Sequence, residues 1–229
     1  MEKVLVTGAN GHLGYILTKM LSEKGYPVRA GVRDFKEEKI AHLKEISNVE
    51  VVKCDILNKS EFEKAVEGVN GLLHVAAVYK HGLKNPDESI IRPAVEGTTN
   101  ALNMAKKYNI KIVLTSSCVA VGRAESKDKP LDENSWESSS EIPYHIGKTK
   151  AEQFAWKFSK ENNINLTLIN PVAIIGPIFY RNTPSTFPFT YTVNKKLTGI
   201  PPVDMNVVDV RDVALAHISA FENSNANGR

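Results

Sequence analysis

The chain has 229 residues, 42% of them hydrophobic and 24% charged, and carries a formal net charge of +3 from 29 basic and 26 acidic side chains. That length supports one α/β domain with a sizeable core, alone or with a small appendage. The two signs of charge are interspersed, unlike the concentrated basic stripe of a nucleic-acid binder, and no apolar run approaches the roughly 20 residues that span a bilayer.

Strand-like apolar runs alternate with segments of helical period from the first residue onward. Val4-Leu5-Val6 is a short buried run, and a helix is expected from about Gly11 to Lys24. The second strand is Val28 to Val32, followed by a charged helix with Ile40, Leu43 and Ile46 on its inner face. A third strand covers Val49 to Val52, a short helix carries Phe62, Ala65 and Val66, and the fourth strand is Gly71 to Val75. A long helix from about Pro93 to Tyr108 leads to the fifth strand, Ile112 to Leu114. A second long helix, about Tyr144 to Glu161, leads to the sixth strand, Leu166 to Ile169. This alternation predicts an α/β fold, a doubly wound parallel sheet with helices on both faces. Arg123 to Ile142 is polar and reads as a surface loop, whereas the proline-bearing stretch from Gly176 to Pro202 reads as an insertion between sheet and cap.

Gly8, Gly11 and Gly14 stand three apart, directly after a strand and at the mouth of a helix. The first permits a sharp exit from the strand, the second a close approach of a pyrophosphate, and the third tight packing of helix on sheet. The helix start offers unpaired N–H groups to phosphates. The candidates for this contact are Gly8, Asn10, Gly11, His12, Leu13 and Gly14. At the end of the second strand, where an acidic residue would hold a free ribose hydroxyl, stands Arg33. A guanidinium there pairs with a 2′-phosphate and selects NADP(H), with Lys36 and Lys39 adding charge. The alternative is a solvated Arg33 neutralised by Asp34.

Tyr144 and Lys148 are four apart on the second long helix, hence on one face. A neighbouring ammonium lowers a phenol's pKa from near 10 and fits it to exchange a proton with a carbonyl or alcohol oxygen. The strand-end hydroxyls of Ser116 and Ser117 are the available polarising groups. The six histidines show no metal spacing, so no metal is expected. His74 is expected to be packed in its strand and His145 to face away from the site. Met1 to Val4 shows no signal-peptide pattern, and Cys54 and Cys118 read as free thiols, together pointing to a cytoplasmic protein.

Thr7-Gly8-x-x-Gly11-x-x-Gly14, followed in order by the motifs below, resembles the extended short-chain dehydrogenase/reductase family. The wording is similar to its dihydroflavonol reductase, cinnamoyl-CoA reductase and bacterial aldehyde reductase-like group. The resemblance implies that Asp55 and Ile56 meet the adenine, that Ala76 and Ala77 line the cofactor, and that Asn100 organises the site. It implies Ser117 as the third member of a set with Tyr144 and Lys148, with Ser116 as fallback. It also implies that Lys148 bonds the nicotinamide ribose and that Pro171, Val172 and Ala173 meet the nicotinamide amide. Val207 to His217 matches a further family segment, and Gly147 stands where the family often has serine.

The resemblance divides the chain into an NADP-binding Rossmann domain, 1–175, and a partial substrate cap with returning sheet elements, 176–229. It implies that family members continue beyond Arg229, as though this chain were truncated. Phe179, Tyr180, Phe187, Phe189 and Tyr191 suit an apolar substrate or a small core under the cap. The expected activity is NADPH-dependent reduction of an aldehyde or ketone, or the reverse, on a small-molecule substrate, with homodimerisation through the long helices as a family expectation. The rival readings are an NAD-dependent nucleotide-sugar epimerase or dehydratase, disfavoured by Arg33, and a non-catalytic dinucleotide-binding regulatory protein, disfavoured by Ser117, Tyr144 and Lys148.

Overall fold

A computed structural model describes residues 1–77, 85–124, 126, 128–178, 186–196, 199 and 205–229 of the chain. Strands β1 (Val4–Thr7), β2 (Val28–Val32), β3 (Val49–Lys53), β4 (Gly71–His74), β5 (Lys111–Thr115) and β6 (Leu166–Ile169) form a six-stranded sheet in the order β3-β2-β1-β4-β5-β6. Every pairing is parallel, with Val4 opposite both Val28 and Gly71. Strand order reverses between β1 and β4, which opens a crevice beyond their carboxyl ends.

The helices are α1 (His12–Glu23), α2 (Glu37–Lys44), α3 (Lys59–Val66), α4 (Arg92–Tyr108), α5 (Cys118–Val121), α6 (Pro143–Asn162), α7 (Phe187–Val193) and α8 (Val210–Glu222). They divide between the two faces of the sheet because successive strand residues point to opposite sides. Val4, Val6, Leu73 and Val113 join α1, α2 and α8 in one core. Leu5, Leu72, Ile112 and Leu114 join α3, α4 and α6 in the other. Strands covered on both faces are apolar over most of their length, as in Val4-Leu5-Val6 of β1 and Ile112-Val113-Leu114 of β5. Leu5, Leu72, Leu73 and Ile112 are wholly buried, each burial stabilising by roughly 1.5–3 kcal/mol.

The expected doubly wound sheet is the observed one, and a second, two-stranded sheet follows it in the chain. The segment Asn170 to Pro177 does not prolong β6. Pro171 has no N–H to give to a ladder, and the chain instead starts β7 (Ala173–Ile175), which pairs in parallel with β8 (Val207–Asp209). Residues after 205 return to the main sheet: Val210, Val213, Ala214 and Ile218 of α8 are buried in the core that α1 shares. The last residues run beside β6, where Leu168 N–H donates to the Arg229 carbonyl and Gly228 N–H to that of Leu166, both at 2.8 Å. Arg123 to Ile142 contains neither helix nor strand among its described residues. Of the aromatic group near the cap, Phe179, Tyr180 and the side chains of Phe187 and Phe189 lie outside the described residues, and Tyr191 lies on α7.

Candidate active site

The crevice begins where β1 ends. The buried Thr7 hydroxyl accepts the N–H groups of Val75 and Ala76, each at 3.2 Å, which clasps the tips of β1 and β4 together. Its proton is then directed at His74 Nδ1, 3.1 Å away. His74 is buried, as expected, and its pKa is pushed down to about 3 by desolvation and by the charge of Lys148. The ring is therefore neutral.

The glycine turn follows. Gly8 has φ +68°, and a Cβ there would lie 2.9 Å from Ala76 Cα. At Gly14 a Cβ would lie 2.2 Å from the Gly8 carbonyl oxygen. The turn is stitched by backbone bonds from Gly11 to Gly8 at 2.9 Å and from Ala9 to Gly31 at 3.1 Å. Gly11 caps α1 with no side-chain bond, and the first turn of the helix holds no acidic residue. Uncapped amides beside a glycine cradle fit a pyrophosphate. Leu13 is buried in the core, so only its backbone can serve there. Asn10 is half-buried, and His12 Nε2 donates to the Pro177 carbonyl at 2.9 Å.

Arg33 is exposed just beyond β2. The Asp34 carboxylate pairs with Lys39. Asp34 is thus engaged by a cation other than Arg33. Asp55 uses its carboxylate to accept Leu57 N–H at 3.0 Å. The adjoining Ile56 carbonyl is held at 2.8 Å by the buried amide of Asn100 on α4.

Tyr144 and Lys148, on the opening turns of α6, line one cavity together with His74, Ala76, Ala77 and Ile56. Thr115 lines it too, and its carbonyl accepts from Lys148 Nζ at 2.8 Å. Burial pushes the Lys148 pKa down to about 8, against the opposing pull of Glu152. Ser117 is not in that lining. It sits two residues past Thr115 as the cap of α5, accepting Val119 N–H at 3.4 Å. Ser116 donates its proton to the buried Glu152. Pro171 accepts Cys118 N–H at 3.1 Å, Val172 is half-buried, and Ala173 opens β7. Gly147 faces α4, where a Cβ would meet Ile91 Cα at 3.3 Å and Ala94 Cβ at 3.4 Å. The missing serine side chain is thus answered by close helix contact. His145, absent from the cavity lining, bonds Ser140 Oγ at 3.0 Å.

Three polar residues escape the sequence reading, the buried Glu152 and His217 and the half-buried Asn170. Glu152 accepts from Ser116 and, at 2.8 Å, from Asn170. His217 of α8 accepts at Nε2 from the Thr115 hydroxyl, 2.7 Å away, because its Nδ1–H is given to the Val213 carbonyl at 2.8 Å. Burial pushes the pKa of His217 down to about 4. Glu152 was open to discovery, since it follows Lys148 by one helical repeat; Asn170 and His217 carry no local signal.

A family model described as the NAD dependent epimerase/dehydratase family matches residues 4–229. Cinnamoyl-CoA reductase CAD2 of Medicago truncatula is 36% identical, the alignment covering 99% of this chain and 74% of that protein. Tetraketide alpha-pyrone reductase 1 of Arabidopsis thaliana is 37% identical over the same shares, 99% and 74%. Among solved structures, the yeast methylglyoxal/isovaleraldehyde reductase Gre2 complexed with NADPH superposes with a TM-score of 0.86 at 26% identity, covering 99% of this chain and 76% of that one.

Proposed function

Because the chain belongs to the NAD dependent epimerase/dehydratase family, we propose that it is an NADPH-dependent reductase of aldehydes or ketones in which Tyr144 is the proton donor. One observation carries this reading. Ala76 packs against Gly8 of the glycine turn and also lines the cavity that holds Tyr144 and Lys148. The phosphate cradle and the acid–base pair are therefore joined through a single residue. NADPH, when bound, supplies the hydride.

The chain's own groups do the rest. Gly8, Asn10, Gly11, His12, Leu13 and Gly14 receive the pyrophosphate at the uncapped start of α1. Arg33 receives the 2′-phosphate, Asp55 and Ile56 flank the adenine, and Ala76, Ala77, Pro171, Val172 and Ala173 bound the nicotinamide end. Lys148 holds a positive charge next to Tyr144, stabilising the phenolate left when the proton moves to the substrate oxygen. Ser117, at the cap of α5 two residues past the cavity-lining Thr115, is the hydroxyl we assign to polarise that oxygen. The charge on Lys148 is lost as pH rises through about 8, so the reduction rate falls on that limb.

The test is an NADPH-consumption screen over aromatic and aliphatic aldehydes and ketones, with Tyr144→Phe as control, alongside fluorescence titrations with NADPH and NADH. Tyr144→Phe should lower kcat about 10²- to 10⁴-fold while leaving NADPH affinity in place. Full activity in Tyr144→Phe would remove the tyrosine from the mechanism. Equal affinity for the two nucleotides would remove Arg33 from the choice of cofactor.

A further inference from the structure

Behind the tyrosine and lysine lies a buried carboxylate for which the proposed chemistry has no use. Glu152 is 6% exposed and follows Lys148 by four residues on the same face of α6. Ser116 Oγ and Asn170 Nδ2 both donate to its Oε2. Asn170 Nδ2 also reaches the Ser117 carbonyl at 3.3 Å. Lys148, 8% exposed, takes the Thr115 carbonyl instead. Lys148 and Glu152, both buried, thus hold consecutive residues at the tip of β5, one helical turn apart. An apolar residue in place of Glu152 would fill the interior at lower desolvation cost, so its charge calls for a reason.

The surroundings of Lys148 supply one. From β4 it meets His74, which is neutral, and from α4 the uncharged Pro93, Ala94 and Thr98 line the same cavity. From β5 it meets the Thr115 carbonyl, behind which His217 of α8 is also neutral. From its own helix it meets Tyr144 and Glu152. Among the described residues, Glu152 is the one negative charge acting on it.

We propose that Glu152 is a positioning residue whose buried negative charge keeps Lys148 protonated in the pH range where Tyr144 works. This rests on the reading of Lys148 as the tyrosine's partner. Desolvation and the Glu152 charge act on Lys148 in opposite directions, and the balance leaves it near 8. Without the carboxylate, desolvation alone acts, and the ammonium loses its proton closer to neutrality.

The experiment follows the ¹³Cε signal of Lys148 in the full chain, assigned by its loss in Lys148→Arg, across a pH titration. Glu152→Gln keeps an oxygen that accepts from Ser116 and Asn170 but removes the charge. Its Lys148 midpoint should fall by about one pH unit or more, and the alkaline limb of kcat/KM should move with it. Ser116→Ala removes a hydrogen bond and keeps the charge, so its midpoint should not fall. A structural brace would instead make the two variants behave alike. A Glu152→Gln midpoint within about 0.3 pH units of the wild type overturns the proposal. If Glu152→Gln does not fold, Glu152→Met, which also removes the charge, must lower the midpoint, and an unmoved value there overturns it too. A midpoint that falls while the rate profile stays fixed leaves the charge inference standing and ends the reading of Lys148 as the partner of Tyr144.

Discussion

The two sides of the crevice are made of different material. At the tip of β1 the structure is backbone: Gly8, Gly11 and Gly14, amide-to-carbonyl stitches, and the bare first turn of α1. At the tips of β5 and β6 it is side chain, buried at Ser116, Lys148, Glu152 and His217 and half-buried at Thr115 and Asn170, joined by hydrogen bonds. The first side is held by steric contact and contains nothing that titrates in its turn apart from His12. The second is held by charge states that burial imposes. One side therefore fails when an atom is added, and the other when a proton is.

The largest expected effect breaks the first side. Gly14→Ala would set a methyl carbon 2.2 Å from the Gly8 carbonyl oxygen and 2.8 Å from the Gly8 carbonyl carbon, all backbone that cannot swing away. We expect a loss of about 3 kcal/mol or more in urea unfolding, together with loss of NADPH binding. A variant that folds and binds normally would show that the turn is not limited by backbone contact. Next comes the proton. His217 titrates near 6.5 when unfolded and is pushed down to about 4 in the fold. Between those values the unfolded chain binds a proton that the folded chain refuses. Stability is thus fully present above about pH 6.5 and drains away as pH falls towards 4, by about 3 kcal/mol from this group. His74, pushed down to about 3, acts in the same direction. Urea midpoints measured at steps from pH 7.5 to 4.5 test this, and His217→Gln should flatten the slope.

The same contrast explains what could be read from the sequence. Strands sandwiched between two helical layers announce themselves as apolar runs, so Val4-Leu5-Val6 and Val28 to Val32 are legible in the sequence. The glycine turn and the Tyr144–Lys148 pair are local patterns, with periods set by a bend and by a helix. The polar cluster is not local. Glu152 meets Ser116 across 36 residues, and His217 meets Thr115 across 102. Nothing near Asn170 or His217 in the chain signals those partners, and the pairing of β7 with β8 joins two short segments separated by a proline-rich stretch.

A smaller effect sharpens the comparison at the one point where the backbone side depends on a side chain. If Arg33 selects the 2′-phosphate, Arg33→Ala should weaken NADPH binding about 10- to 100-fold, the worth of one or two charge-assisted hydrogen bonds. NADH binding should stay within about threefold by the same reasoning. Equal losses for both nucleotides would mean that Arg33 supports the turn rather than the phosphate.

The smallest effect lies where the two materials meet. Gly147 stands between Tyr144 and Lys148 but faces the start of α4, not the cavity. Gly147→Ser adds a Cβ 3.3 Å from Ile91 Cα, tight enough that α4 must yield by a few tenths of an ångström. Replacing glycine inside a helix returns up to about 1 kcal/mol of backbone entropy, so the two contributions nearly cancel and stability should change by less than about 1 kcal/mol. The informative readout is kinetic. Tyr144 and Lys148 ride on the same turns of α6, so a helix pushed from α4 would carry them relative to Ala76 and change kcat without changing the affinity for NADPH. An unchanged kcat would mean that α4 gives way at Ile91 and leaves α6 in place, making β5 rather than the helix contact the support that holds the lysine.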